Sequence, residues 1–200
     1  KDALYCDAPS SARRRAARTV LDILFHRLTT WLAPVLVFTM EEVWLCRFPG
    51  DESSVHLVDM PETPAGWLNH ALAAKWNDIR TVRRVVTGAL EKLRAYKIIG
   101  SSLEACPMIY LDAASRVPLE KTGVLPFQAS AMADYCIVSD INLCFAIAPE
   151  SAFTLSELPG VAVVVDLADG QKCERCWKVL PDVGSHKHPG TCARCDAALG

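Results

Sequence analysis

The feature that most restricts this chain is a spacing of sulfur near its end: Cys173-x2-Cys176, fifteen residues, then Cys192-x2-Cys195. Each C-x2-C pair can form a tight knuckle that turns two thiolates toward one point. Two knuckles complete a tetrahedral shell with Zn–S distances of about 2.3 Å. Four thiolates leave no position for an activated water, so the zinc expected here is structural. Residues 170–200 need such a staple, because Trp177, Val179, Leu180, Val183 and Leu199 are their large apolar groups and a segment of about 30 residues buries too little to fold unaided. His186 and His188 lie between the pairs and are read as loop residues, since four cysteines already close the shell. Cys6, Cys46, Cys106, Cys136 and Cys144 are scattered and odd in number, which suits free thiols in a reducing compartment better than a secreted disulfide framework.

The rest of the chain has material for a packed core. Of its 200 residues, 51% are hydrophobic and 22% charged, which excludes disorder as the main state. The richest apolar run, residues 31–40, stops at Glu41 and Glu42, well short of the roughly 18 residues that span a bilayer, so no membrane partner is expected. The opening at Lys1 has no signal-peptide pattern, and the chain is read as a piece of a longer soluble, cytoplasmic protein. The net charge of −2 conceals segregation: residues 1–66 carry −2, 67–100 carry +5, 101–169 carry −7 and 170–200 carry +2. Local positive faces can therefore meet phosphate while the whole stays near neutral.

Hydrophobic period divides the chain coarsely. Over 10–33, Val20, Leu21, Leu24, Leu28, Trp31 and Leu32 recur at helical spacing behind a Ser-rich start. Pro34 ends that helix, and a second is expected to run to about Cys46 with Leu36, Met40, Val43 and Trp44 inward and Glu41 and Glu42 outward. A long helix is expected over 66–97, with Ile79, Val82, Val86, Leu90 and Leu93 as its apolar stripe and Arg80, Arg83, Arg84 and Arg94 on a separate arc. Beyond Gly100, the segments 107–111, 135–138, 143–147 and 161–167 read as short strands, with a short helix over 116–123. The expected fold is mainly an α-helical bundle, followed by a small α+β region and a four-cysteine zinc-ribbon-like module. The corresponding domains are 1–100, 101–169 and 170–200.

No catalytic constellation emerges. His26, His56 and His70 are isolated, and neither a G-x-G-x-x-G nor a G-x-x-x-x-G-K-[ST] phosphate loop occurs. The chain reads as a binding module with no catalytic residues of its own.

Several runs resemble a known family. Lys1-Asp2-Ala3-Leu4-Tyr5, Thr19-Val20-Leu21, Leu32-Ala33-Pro34 and Phe38-Thr39-Met40-Glu41-Glu42-Val43-Trp44 are similar to the helical anticodon-binding domain of class I aminoacyl-tRNA synthetases. Lys97-Ile98-Ile99-Gly100-Ser101-Ser102-Leu103-Glu104-Ala105, with the cysteine module, resembles the C-terminal part of bacterial-type isoleucyl-tRNA synthetases. That resemblance implies a parent ligase, monomeric, that uses ATP and Mg²⁺ to join isoleucine to its tRNA. The HIGH and KMSKS signatures of the adenylate site do not occur here, so the implied task is to grip the anticodon stem and loop of isoleucine tRNA, with no role for DNA.

Unpaired bases are held by stacking on aromatic or guanidinium planes, and phosphates by Lys and Arg. Arg175, Trp177, Lys178 and Arg194 around the knuckles, and Arg80, Arg83 and Arg84 on the long helix, are the expected contacts, with Arg13, Arg14, Arg15 and Arg18 as further phosphate candidates. Trp177 is either a stacking plane or the core residue of its module. Two other readings use the same cysteine spacing: the zinc finger of a formamidopyrimidine-DNA glycosylase, and a free-standing zinc-ribbon adaptor. The first would need a helix-two-turn-helix before the finger, where 161–167 reads as strand.

Overall fold

The computed structural model describes residues 2–115, 120 and 129–200. Lys1 of the opening motif and, apart from residue 120, the short helix expected over 116–123 lie outside these. The chain forms two compact units, residues 1–68 and 69–198, so the expected boundary at residue 100 falls inside the second.

In the first unit, helix α1 (Asp2–Tyr5) leads to α2 (Ala12–Leu32), whose first turn is capped by the Ser11 hydroxyl accepting Arg14 N–H. Helix α3 (Val37–Arg47) follows the Pro34 break. The core is small: Ala33, Trp44 and Val55 are buried, and Phe25, Met40 and Phe48 pack against them. Phe25, His26, Trp44 and Phe48 form one ring cluster, with Trp44 and Phe48 centroids 4.7 Å apart. Two expectations are corrected here. Val20, Leu21, Leu24, Leu28, Trp31 and Leu32 are 40–54% exposed, because α2 buries only the strip that α3 and the following turn cover; Leu36 and Val43 are likewise exposed. Glu41 points inward, where its Oε2 accepts Ser54 Oγ (3.0 Å) and Val55 N–H (2.9 Å) and fixes the 3-10 turn Val55–Leu57.

The second unit is a helix laid on a sheet. Helix α4 (His70–Ala95) starts at an Asn69 cap that accepts Leu72 N–H. It stops where Lys97 takes a left-handed φ of 58° and Ile98 N–H bonds back to Leu93 O. This end is a Schellman-type stop. Gly100 N–H then donates to Glu104 Oε2 at 3.0 Å, so much of the 97–105 motif serves to end the helix and launch a strand. That strand, β1 (Ala105–Leu111), alternates buried and half-buried residues. It pairs parallel with β2 (Asn142–Cys144) and antiparallel with β4 (Val161–Leu167), which also pairs with β3 (Phe153–Thr154), giving the order β2-β1-β4-β3. Pro107 is tolerated in β1 because β2 pairs only from Met108 onward, leaving that stretch a neighbour on one side. Ile79, Val82, Val86 and Leu90 of α4 join Ile109, Leu111, Val161 and Val163 in the main core; this packing is why α4 belongs with the sheet.

The strand expected over 135–138 is instead the end of helix α5 (Ala129–Cys136) and a turn, with Ile137 at φ 59°. A short apolar run fits either state, and the buried set Met132, Ala133 and Cys136 has helical spacing. Likewise 143–147 is strand only to Cys144, and Ile147 is exposed.

Candidate functional site

The tail is a hairpin followed by a helix. Strand β5 (Gln171–Lys172) pairs antiparallel with β6 (Val179–Leu180), and the first knuckle is the turn between them. Cys173 N–H donates to Lys178 O (2.8 Å) and Trp177 N–H to Cys173 O (2.9 Å). This closure puts Trp177 at φ 68°, a left-handed conformation uncommon for a bulky residue. Gly170 enters the hairpin at φ 109°, where a Cβ would lie 2.2 Å from the Leu180 backbone.

The second knuckle runs into helix α6 (Ala193–Leu199), with Cys192 as its N-cap. Cys192 offers no capping oxygen, and Asp182 supplies one by accepting Ala193 N–H at 2.7 Å. Asp182 also meets His186 Nε2 at 3.0 Å, and Asp196 accepts His188 N–H at 2.9 Å and faces its Nδ1 at 2.7 Å. The amide N–H of Ala193 holds the Asp182 carboxyl below the usual carboxylate range, and that of His188 does the same for Asp196. Both histidines thus serve the knuckle scaffold through carboxylates and stand apart from the cysteine cluster. Glu174 N–H donates to Gly190 O at 2.9 Å, tying one knuckle to the other.

The four sulfurs meet. Cys173, Cys176, Cys192 and Cys195 are all buried and their sulfurs lie within 4.8 Å of one another. Cys176 Sγ and Cys192 Sγ are 3.7 Å apart, close to the roughly 3.8 Å edge of a tetrahedron drawn with Zn–S of about 2.3 Å. Burial pushes the Cys176 and Cys195 thiols up to about 11 and Cys192 upward as well. At Cys173 burial also acts upward, but the N–H groups of Cys176, Cys192 and Arg175 together bring it down to about 6. Four soft donors crowded in one desolvated spot suit a single divalent ion, and their closed arrangement makes it a structural zinc centre that braces the knuckles.

Lys178 Nζ binds Asp134 of α5 at 2.7 Å with its side chain only 15% exposed. Val179 N–H donates to the buried Ser139 hydroxyl at 2.7 Å, and that hydroxyl donates to Leu103 O. These contacts seat the tail on the sheet-and-helix core, and they turn Lys178 from a surface cation into an anchor. Trp177 is 56% exposed, which excludes the core role open to it in the sequence; Lys172 Nζ lies 5.7 Å from its ring centroid. Arg175 and Arg194 are half-buried on the two knuckles. Arg80, Arg83 and Arg84 are exposed on α4: Arg80 reaches Asn77, Arg83 Nε donates to Tyr135 O at the end of α5, and Arg84 pairs with Glu157 at 2.7 Å. Arg83 of α4 and Lys178 of the first knuckle thus meet consecutive residues of α5, Tyr135 and Asp134. Sequence reasoning missed Asp134, Ser139, Asp182 and Asp196; only the Asp182-x3-His186 spacing gave any sign of them.

Residues 1–109 match the family model described as the anticodon-binding domain of tRNA ligase. The chain belongs to this family. Residues 170–198 match a second model, the zinc finger found in FPG and IleRS. Over its full length the chain is 58% identical to the isoleucine–tRNA ligase of Ruegeria pomeroyi, 51% to that of Mesorhizobium japonicum and 50% to that of Brucella abortus. It covers 20% of each of these relatives, about one fifth of their length. The finger model alone is shared with DNA glycosylases, but residues Val161–Leu167 ahead of the tail form strand β4, not the helix-two-turn-helix that reading needs. Among the described residues, no helix is long and apolar enough to cross a membrane.

Proposed function

We propose that this chain is the tRNA-recognition region of a monomeric, cytoplasmic isoleucine–tRNA ligase and that it holds the anticodon stem and loop of isoleucine tRNA. The match of the anticodon-binding model across residues 1–109, joined to the zinc finger over 170–198, carries the reading. ATP, Mg²⁺ and the adenylate chemistry belong to the parent ligase outside these residues.

In this reading, the zinc centre acts by rigidity: it holds Trp177 half exposed beside a ligand so that its indole is offered to an unpaired base at little entropic cost. Arg175 and Arg194 flank that plane, and Arg80 and Arg84 offer charge to phosphate. The Arg84–Glu157 pair is exposed on both sides, so exchanging it for a phosphate costs little. Arg83 and Lys178 position the surface by holding α5.

The test is Trp177→Ala in the ligase carrying this chain. Aminoacylation of isoleucine tRNA is expected to fall roughly 5- to 150-fold, the effect of one lost stack, while isoleucine-dependent ATP–pyrophosphate exchange stays near wild type. Equal loss of both activities would refute the assignment.

A further inference from the structure

The helical unit carries a second aromatic plane backed by a cation. Trp67 ends the 3-10 turn Ala65–Trp67 and is 51% exposed. The guanidinium carbon of Arg27, on α2, lies 4.5 Å from its ring centroid. Arg27 Nη2 donates to Glu62 O at 2.8 Å. The turn follows Pro61 and Pro64 and is closed by Trp67 N–H donating to Pro64 O at 3.0 Å, so the loop has little freedom to lose on binding. Arg27 Nε is buried with no hydrogen-bond partner. The side chain therefore keeps its place beside the indole although a desolvated donor goes unmatched, an arrangement that costs free energy and stands out in a folded protein.

The chemistry of the ligand follows from these groups. Arg27 meets a carbonyl and a ring and, among the described residues, forms no ion pair, so no bound carboxylate has to leave before its guanidinium meets an anion. Its positive charge repels the quaternary ammonium or lysine side chain that a bare aromatic would attract. A nucleobase gains from stacking on the indole, and its phosphate gains from the guanidinium. The ring is open to approach, since half of Trp67 is exposed. The pairing resembles that of Trp177 with Lys172 in the tail, where an indole of similar exposure also carries a cation.

We propose that Trp67 is a stacking residue for an unpaired base of the bound RNA, with Arg27 as the positioning residue that holds the indole and draws in the adjoining phosphate. This rests on the RNA-binding reading above. The test uses the full zinc-loaded chain and fluorescein-labelled anticodon stem-loop RNA of isoleucine tRNA, followed by anisotropy. Trp67→Ala is expected to weaken binding roughly 5- to 150-fold, the range of one base–aromatic stack, and Trp67→Phe to retain most of the affinity.

The RNA is then made abasic at each loop position in turn. One position should weaken binding by the wild type yet leave binding by Trp67→Ala unchanged, a coupling that a merely structural role would not produce; Trp67→Leu, which stays apolar but offers no ring, repeats the cycle should the Ala variant fold poorly. Unchanged affinity of Trp67→Ala, or abasic losses equal in both proteins at every position, overturns the stacking role alone. Failure of the wild type to bind the stem-loop overturns it together with the RNA-binding reading.

Discussion

The sheet-and-helix core and the cysteine tail belong to one compact unit but are held together by different physics. The core buries aliphatic side chains from α4, α5, β1 and β4 in one cluster. In the tail, Val183 is the buried aliphatic side chain, and the four cysteines with Thr191 supply the rest of the interior. The core thus draws on many interchangeable contacts, each worth about 1.5–3 kcal/mol. The tail depends on one shared point, where loss of a single ligand undoes the whole.

Removing a zinc ligand should separate the two most widely. Structural zinc contributes on the order of 10–16 kcal/mol to such modules, so Cys173→Ser, or a strong chelator, is expected to abolish order in 170–198 while α4 and the sheet persist. Native mass spectrometry should show one zinc in the wild type and none in the variant, and hydrogen exchange should show protection lost in the tail alone. Simultaneous loss in α4 would erase the contrast.

A core substitution should give the reverse pattern. Ile109, fully buried in β1, when changed to Ala should cost about 2–5 kcal/mol in urea unfolding, with zinc content unchanged. The smallest effect is expected at the joint. Lys178→Met removes a largely covered ion pair with Asp134 and should cost roughly 1 kcal/mol, between exposed and buried pairs. Its signature is faster exchange in the hairpin at constant zinc content.

What could be read in the sequence follows the same division. The cysteine quartet was legible because a metal fixes spacing locally, and the α4 stripe because helical period marks residues that share a face. Period does not say whether anything covers that face. Val20, Leu24 and Leu28 repeat as regularly as Val82 and Val86, yet the former are exposed and the latter buried. The end of α5 misread as strand because four apolar residues carry no period. Glu41 and Ser139 gave no signal at all, since a polar residue turned inward looks like any surface one until its partners, Val55 and Val179, are known. The Lys97–Ala105 run was legible as a family mark, while its work as a helix stop showed only in the φ of Lys97.

The Ser139 hydroxyl has a practical consequence. It takes an N–H from the tail and gives its own proton to Leu103, so a single oxygen splices together three stretches far apart along the chain. Anyone grafting the cysteine hairpin onto a foreign scaffold must transplant that hydroxyl and its carbonyl too, because the thirty-odd terminal residues are not a portable cassette.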